Sequence, residues 1–314
     1  MPPSVSRWIF DSKRAVIRVG PAGWSYADWE GPIHPRPKPA EHHPLDDLSK
    51  VFDVVELNVS FYRLPNPEQV AQWLERVEER TYFRFAVKLL GDFTHQRRFE
   101  TPRDLERGLD GFFDCLGPLA GSPRLATVLA QFPLSFQASP RSGRYLGTLA
   151  RALGERLGGR PPVLELRHRS WFTGPAAELL HQSGASIARI DLPASSDHPP
   201  VELPFESPLG YMRMHGRNAQ AWFDPQAGRD DQYSYDYSTN ELASLAAHIK
   251  TLATRSDETY VITNNHFAGQ AIANGVELID LLLEHRPQIP ARWIDAYPRL
   301  GAIADPVGQT GLFG

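Results

Sequence analysis

The chain has 314 residues, which is enough for one α/β barrel domain of about 250 residues with long loops to spare. Its formal net charge of −4 argues against a general affinity for nucleic acid or anionic membranes, but leaves room for a local basic pocket. The single cysteine, Cys115, excludes an intrachain disulfide and suits a reducing cytosol; its apolar neighbours Phe112, Phe113 and Leu116 predict a small core residue.

Residues 1–14 read as an N-terminal extension. The run Trp8-Ile9-Phe10 is too short for the apolar stretch of a secretory signal. Nowhere does the chain reach the ~18 apolar residues of a membrane span, so a cytoplasmic protein with no membrane partner is expected. Eight short β-branched and aromatic runs then follow, at 15–19, 54–59, 83–88, 127–132, 163–166, 186–191, 210–215 and 259–264. Helical patterns separate most of them. Asn66 and Pro67 open a helix over 67–80, with Val70, Trp73, Leu74 and Val77 on one face. Ser238 or Thr239 caps another, carrying Leu242, Leu245, Ala246, Ile249 and Leu252. A last helix runs over about 268–285, with Ile272, Val276, Ile279 and Leu283 inward. The prolines between 192 and 209 predict an extended loop there. Residues 298–314 read as a tail, loosely ordered or draped over the surface. This alternation predicts an α/β fold: a single (β/α)8 TIM-type barrel over 15–297, with long loops at its C-terminal face.

Strand side chains alternate between faces, so the apolar set on each strand identifies the helix-facing side. Val55 and Leu57 then face out, leaving Glu56 and Asn58 inward; Leu164 and Leu166 face out, leaving Glu165 and Arg167 inward. The same parity turns Lys88, Gln131, Asp191, Arg213, His215 and Asn264 inward. All lie near C-terminal strand ends, the face on which barrel enzymes place catalytic groups. A bland alternative is an internal salt-bridge lattice, and a one-residue slip of parity on any strand would turn its set outward.

These residues fall in blocks that resemble the YecE-like family, domain of unknown function 72. The blocks are Gly20-Pro21-Ala22-Gly23-Trp24-Ser25-Tyr26, Val55 through Arg63, Phe85-Ala86-Val87-Lys88, Thr94-His95, Gln131-Phe132-Pro133, Glu165 through Trp171, Arg213 through Arg217 and Asn264-Asn265. Pro21, Ala22 and His34 depart from the family pattern without touching the charged set. The resemblance implies a barrel fold and carries no established activity.

The sequence lacks a phosphate-cradling glycine loop, a nucleophile elbow and paired-histidine or paired-cysteine zinc motifs. The leading expectation is a hydrolase- or isomerase-like enzyme with an anion-binding pocket for a phosphate-bearing substrate, nucleotide or nucleic-acid fragment included. Lys88, Arg167 and Arg213 would bind the anion, with Asn58, Gln131 and Asn264 as polar contacts. Glu165 beside Arg167 suits a base or nucleophile and Glu56 an acid, with His215 and Asp191 as further acid–base candidates. Trp24, Tyr26, Trp29, Phe61, Tyr62 and Trp171 would form an aromatic rim or a hydrophobic cover over the loops, with His95 on a nearby loop and Tyr233, Tyr235 and Tyr237 in a lid or packed on the barrel rim. The alternatives are a glycoside-cleaving or sugar-isomerising barrel using Glu56 and Glu165, and a binding module without turnover. No cofactor is predicted. Cations flank the oxygen and nitrogen donors Glu56, Glu165, Asp191 and His215, so no tightly held metal is expected, and a weakly bound divalent ion is left open. The sequence carries no signal for oligomeric state.

Overall fold

The computed structural model describes residues 9–10, 15–99, 101–199, 203, 207 and 209–307. Each of the eight expected strand regions carries β-structure. Val54–Leu57, Arg84–Lys88, Leu125–Gln131, Val163–Glu165 and Ser186–Ile187 form one parallel sheet in that order. Arg189–Asp191, Gly210–Met214, Glu258–Thr263 and Ala15–Pro21 form a second parallel sheet, edged by Ile9–Phe10 running antiparallel. The expected single sheet of eight strands is therefore observed as two sheets of five.

Two seams relate the sheets. At one, the chain itself passes from the first sheet to the second through Ala188, whose N–H donates to Leu164 O at 2.9 Å. At the other, Gly23 N–H donates to Glu56 O at 2.8 Å and Asp53 N–H to Val19 O at 3.2 Å. A Cβ on Gly20 would lie 1.7 Å from Val54 O, so only glycine permits this approach. The strands beside Ala188 are two or three residues long, which is why the ladder breaks there.

Residues from both sheets build a small apolar cluster between them: Val54, Ala86, Leu129 and Val163 meet Ala188, Ile190, Tyr211, Tyr260 and Ile262. The opposite strand faces pack on the helices in a larger cluster that includes Val55, Leu57, Leu164, Met212 and Val261. The parity expected for the second and fifth strands is thus the observed one.

The helices follow their signals. Asn66 Oδ1 accepts from Glu68 N–H at 2.9 Å and opens Pro67–Arg76. That helix ends at Arg76, short of residue 80, and the carbonyls of Glu78 and Arg80 beyond it accept from the Arg124 guanidinium. Ser238 and Glu241 make a reciprocal cap on Thr239–Ala253, and Gln270–Leu283 buries Ile272, Val276 and Ile279. No helix appears among the described residues of 192–209. One expectation is corrected. Cys115 is only half-buried, because Leu105, Leu109, Phe112 and Leu116 take the buried stripe of Pro102–Leu116. The stretch 298–307 is regular: Pro298–Ala302 is a 3-10 turn, and Asp305–Val307 pairs with Gln288–Pro290, tied by Arg286 to Asp305 at 2.7 Å. Residues 308–314 lie outside the described residues. No helix among the described residues is long and apolar enough to cross a membrane.

Candidate functional site

Four strands bring charged side chains together between the sheets. Arg213 sits at the centre. Its Nε donates to Glu56 Oε2 at 3.0 Å and its Nη2 to Glu56 Oε1 at 2.6 Å, while Nη1 donates to Glu165 Oε2. Tyr211, two residues earlier on the same face, donates its hydroxyl to Glu56 Oε2 at 2.8 Å. Arg167 Nε donates to Glu165 Oε1 at 2.9 Å. His215 Nε2 stands 3.5 Å from Glu165 Oε1, and the Asn264 amide nitrogen lies 2.9 Å from His215 Nδ1. In that amide orientation Nδ1 accepts and Nε2 carries the proton.

Glu56, Glu165 and His215 are each 0% exposed. Burial alone would raise the Glu165 carboxyl, but Arg213, His215 and Arg167 hold it well below the usual carboxylate range. Burial pushes His215 down to about 3, against the pull of Glu165, so its imidazole is neutral at physiological pH. The Arg213 guanidinium is raised by Glu165 and Glu56 despite its burial. Two carboxylates and two arginines therefore balance in charge.

Above this cluster opens a cleft of about 400 Å³. Lys88, Arg167 and Arg213 line its floor with Asn58 and Asn264; Trp24, Tyr26, Tyr62 and Trp73 form an aromatic wall, with His43, Tyr233 and His266 completing it. Trp24 meets Trp73 edge-on at 5.3 Å, and Tyr26 stacks on His266 at 4.3 Å. Lys88 Nζ lies 3.9 Å from the Phe61 ring centroid and has no ion pair among the described residues. Burial, followed by repulsion from Arg213, pushes its ammonium down to about 7. His95, which meets Phe61 edge-on at 4.9 Å, is lowered to about 4 by burial and by Lys88.

Several expected site residues stand outside the cleft lining. Asp191 is turned the other way: Ala188 and Ile190 are the inward residues of its strand, so its parity is offset by one. Its carboxylate accepts from Arg217 Nη2 at 2.7 Å and from the Tyr237 hydroxyl at 2.6 Å. Gln131 keeps the inward parity of Leu129, yet its amide donates to Phe132 O at 2.8 Å. Trp171 is 1% exposed, donates to Phe136 O at 2.6 Å and stacks on the Phe136 ring. Trp29 is likewise buried, donating to His266 O at 2.7 Å. His95 flanks Lys88 from behind Phe61 without lining the cleft. Of the three lid tyrosines, Tyr233 lines the cleft; Tyr235 and Tyr237 bond Glu241 and Asp191. Tyr211 and Trp73 were missed by sequence reasoning. Tyr211 shares the parity of Arg213, and that signal could have found it. Trp73 lies on a helix face assigned wholly to the core. Among the described residues, no three His, Cys, Asp or Glu side chains gather as a metal-ligand set.

Fold and site together define an α/β protein of parallel strands whose polar residues gather at the C-terminal strand ends. Within that class, the chain belongs to the family described as "Protein of unknown function DUF72", which matches residues 18–296. UPF0759 protein YunF of Bacillus subtilis (strain 168) is 31% identical over 292 residues, covering 90% of this chain and 100% of that one. UPF0759 protein YecE of Escherichia coli (strain K12) is 29% identical over 181 residues, 56% of this chain and 59% of its own. A DUF72 family protein from Thermotoga maritima MSB8 superposes with a TM-score of 0.71 at 30% identity, covering 85% of this chain and 98% of that chain. The resemblance read from the sequence is thereby confirmed.

Proposed function

We propose that the two sheets close as one eight-stranded (β/α)8 barrel and that the cleft at its C-terminal mouth is an enzyme site for a small anionic molecule bearing a phosphate or carboxylate. Hydrogen bonds across both seams support the closure. One observation carries the anion reading. Arg213 is occupied by Glu56 and Glu165, whereas Arg167 uses only Nε on Glu165 and Lys88 has no carboxylate partner among the described residues, so donor groups remain to face the cleft. A phosphate or carboxylate matches the Arg167 fork. The aromatic wall suits an apolar or ring-bearing remainder. In this reading Glu56 and Glu165 are positioning residues that fix the two arginines. Glycoside cleavage needs two carboxylates flanking a scissile bond, and here both grip one guanidinium with no exposed surface, so that alternative draws no support from the geometry. Cytoplasmic location stays within the proposal, resting on the lone Cys115.

Thermal melts and calorimetry with inorganic phosphate, sulfate and acetate test the reading. Saturable stabilisation by at least one anion is expected, weakened about tenfold or more in Arg167→Met, the loss of a charge-assisted contact. No saturable effect in the wild type, or an equal effect in the variant, would overturn it.

A further inference from the structure

The chain contains five lysines and 28 arginines. The two cations beside Lys88 on the cleft floor, Arg167 and Arg213, are arginines fixed by carboxylates, while Arg63 lines the cleft elsewhere. Lys88 breaks that pattern. It ends the strand Arg84–Lys88, and its backbone is anchored by Ser60, whose hydroxyl donates to Lys88 O at 2.6 Å. Its side chain lines the cleft with Nζ 3.9 Å from the Phe61 ring centroid. An arginine here would bind anions equally well but cannot surrender its proton, whereas a desolvated lysine among like charges can.

Resting on the anion-site reading above, we infer that Lys88 is an imine-forming lysine and that the cleft takes a small carbonyl compound carrying a phosphate or carboxylate. Arg167 holds the anionic end, and the carbonyl carbon comes to Nζ. The amine lone pair attacks that carbon and forms a C–N bond; the two protons that the nitrogen gives up pass to the carbonyl oxygen, the C–O bond breaks and the oxygen leaves as water. The C=O bond is replaced by C=N with no change of oxidation state, so no oxidant or reductant is required. The Asn58 and Asn264 amides line the cleft as hydrogen-bonding groups for the departing oxygen. The charged groups acting on Lys88 favour the free amine: burial, Arg213 and Arg167 disfavour the ammonium, and Glu165 and Glu56 offset them only in part, leaving it near 7. His95, the nearby imidazole, is neutral at that pH and adds no charge.

The test uses pyridoxal 5′-phosphate, an aldehyde that carries a phosphate, on the full chain at pH 8. Borohydride reduction and peptide mass mapping follow. Lys88 is expected to carry at least tenfold more reduced adduct than Lys38, Lys50 or Lys250, with labelling suppressed by inorganic phosphate. Its yield should rise through pH 7 rather than near 10. Lys88→Arg should lose the adduct, and an unchanged circular-dichroism spectrum with a cooperative melt shows that the variant folds. If phosphate stabilises the wild type but Lys88 labels no faster than the other lysines, the imine inference fails alone. If phosphate gives no saturable stabilisation at all, the anion site fails first and the inference fails with it.

Discussion

Arg213 and Glu56 face each other across the two sheets in a two-pronged pair, Nε to Oε2 at 3.0 Å and Nη2 to Oε1 at 2.6 Å. The same guanidinium reaches Glu165 through Nη1. Replacing it by an apolar side chain strands two buried carboxylates. Arg213→Met is therefore expected to cost about 3–5 kcal/mol, measured by urea unfolding. A loss below about 1 kcal/mol would mean that the pair contributes no more than a surface ion pair. In combination with Glu56→Gln the losses should not add, since both changes remove the same contacts.

The carboxylates themselves give a second test. Glu56→Gln and Glu165→Gln preserve shape, and a carboxylate kept for chemistry would tolerate the change with little loss of stability. Here Glu56 accepts three charge-assisted or hydroxyl hydrogen bonds and Glu165 is held by two arginines. Each variant should lose about 2–4 kcal/mol. Unchanged melting of both would restore the catalytic pair.

Lys88 makes the opposite prediction. Its folded-state value is depressed from 10.5 to about 7, so the unfolded chain binds more protons between those pH values and stability rises with pH across that window. Lys88→Met should remove that slope. At pH 7 and below, the variant should be more stable than the wild type by about 1–3 kcal/mol. The gain should shrink to nothing above pH 10.5. Melts at pH 6, 8 and 10 check the sign; a variant less stable at every pH would refute it.

Acid should act through the neutral histidines. His215 is lowered from 6.5 to about 3 and His95 to about 4, both mainly by burial. Below pH 6.5 the unfolded chain takes up protons that the folded state refuses, so stability present above 6.5 is lost as pH falls toward 3. His215→Asn should flatten the melting-temperature slope between pH 6.5 and 4 by about one proton's worth. An unchanged slope would show that His215 protonates without resistance.

Asp191→Asn separates the Arg217 and Tyr237 contacts from the cleft. Asp191 holds Arg217 and Tyr237, away from the cleft lining. The variant should lose about 2–3 kcal/mol of stability and leave phosphate-dependent stabilisation intact. Weaker phosphate binding at equal melting loss would return Asp191 to the site.

The strands were legible because their apolar residues alternate cleanly. Val55 and Leu57 around Glu56, and Leu164 and Leu166 around Glu165, leave one parity for the charges. On the strand Arg189–Asp191 the signal fails, since Ile190 and Leu192 face inward where apolar residues of other strands face the helices. An inward face that is itself apolar cannot be told from an outward one by hydropathy. Sheet division was not legible either, because strands of two or three residues leave no periodicity to read. Trp171 shows the same limit for loops. An aromatic after a strand end can roof a pocket or fill the core, and only the Phe136 ring and carbonyl decide which.

The partners of Glu56 are Tyr211 and Arg213, more than 150 positions later in the chain and in the other sheet. As the protein leaves the ribosome, Ala15–Pro21 and then the strands from Val54 to Ile187 emerge ahead of residues 211 and 213, so a carboxylate destined for complete burial is made before its partners. The first sheet can assemble its apolar ladder but cannot seal its inner face over Glu56 until residue 213 has been made. Vectorial synthesis thus leaves the first sheet waiting for the second, and the arginine that completes the ion cluster also times the moment at which the floor of the cleft can close.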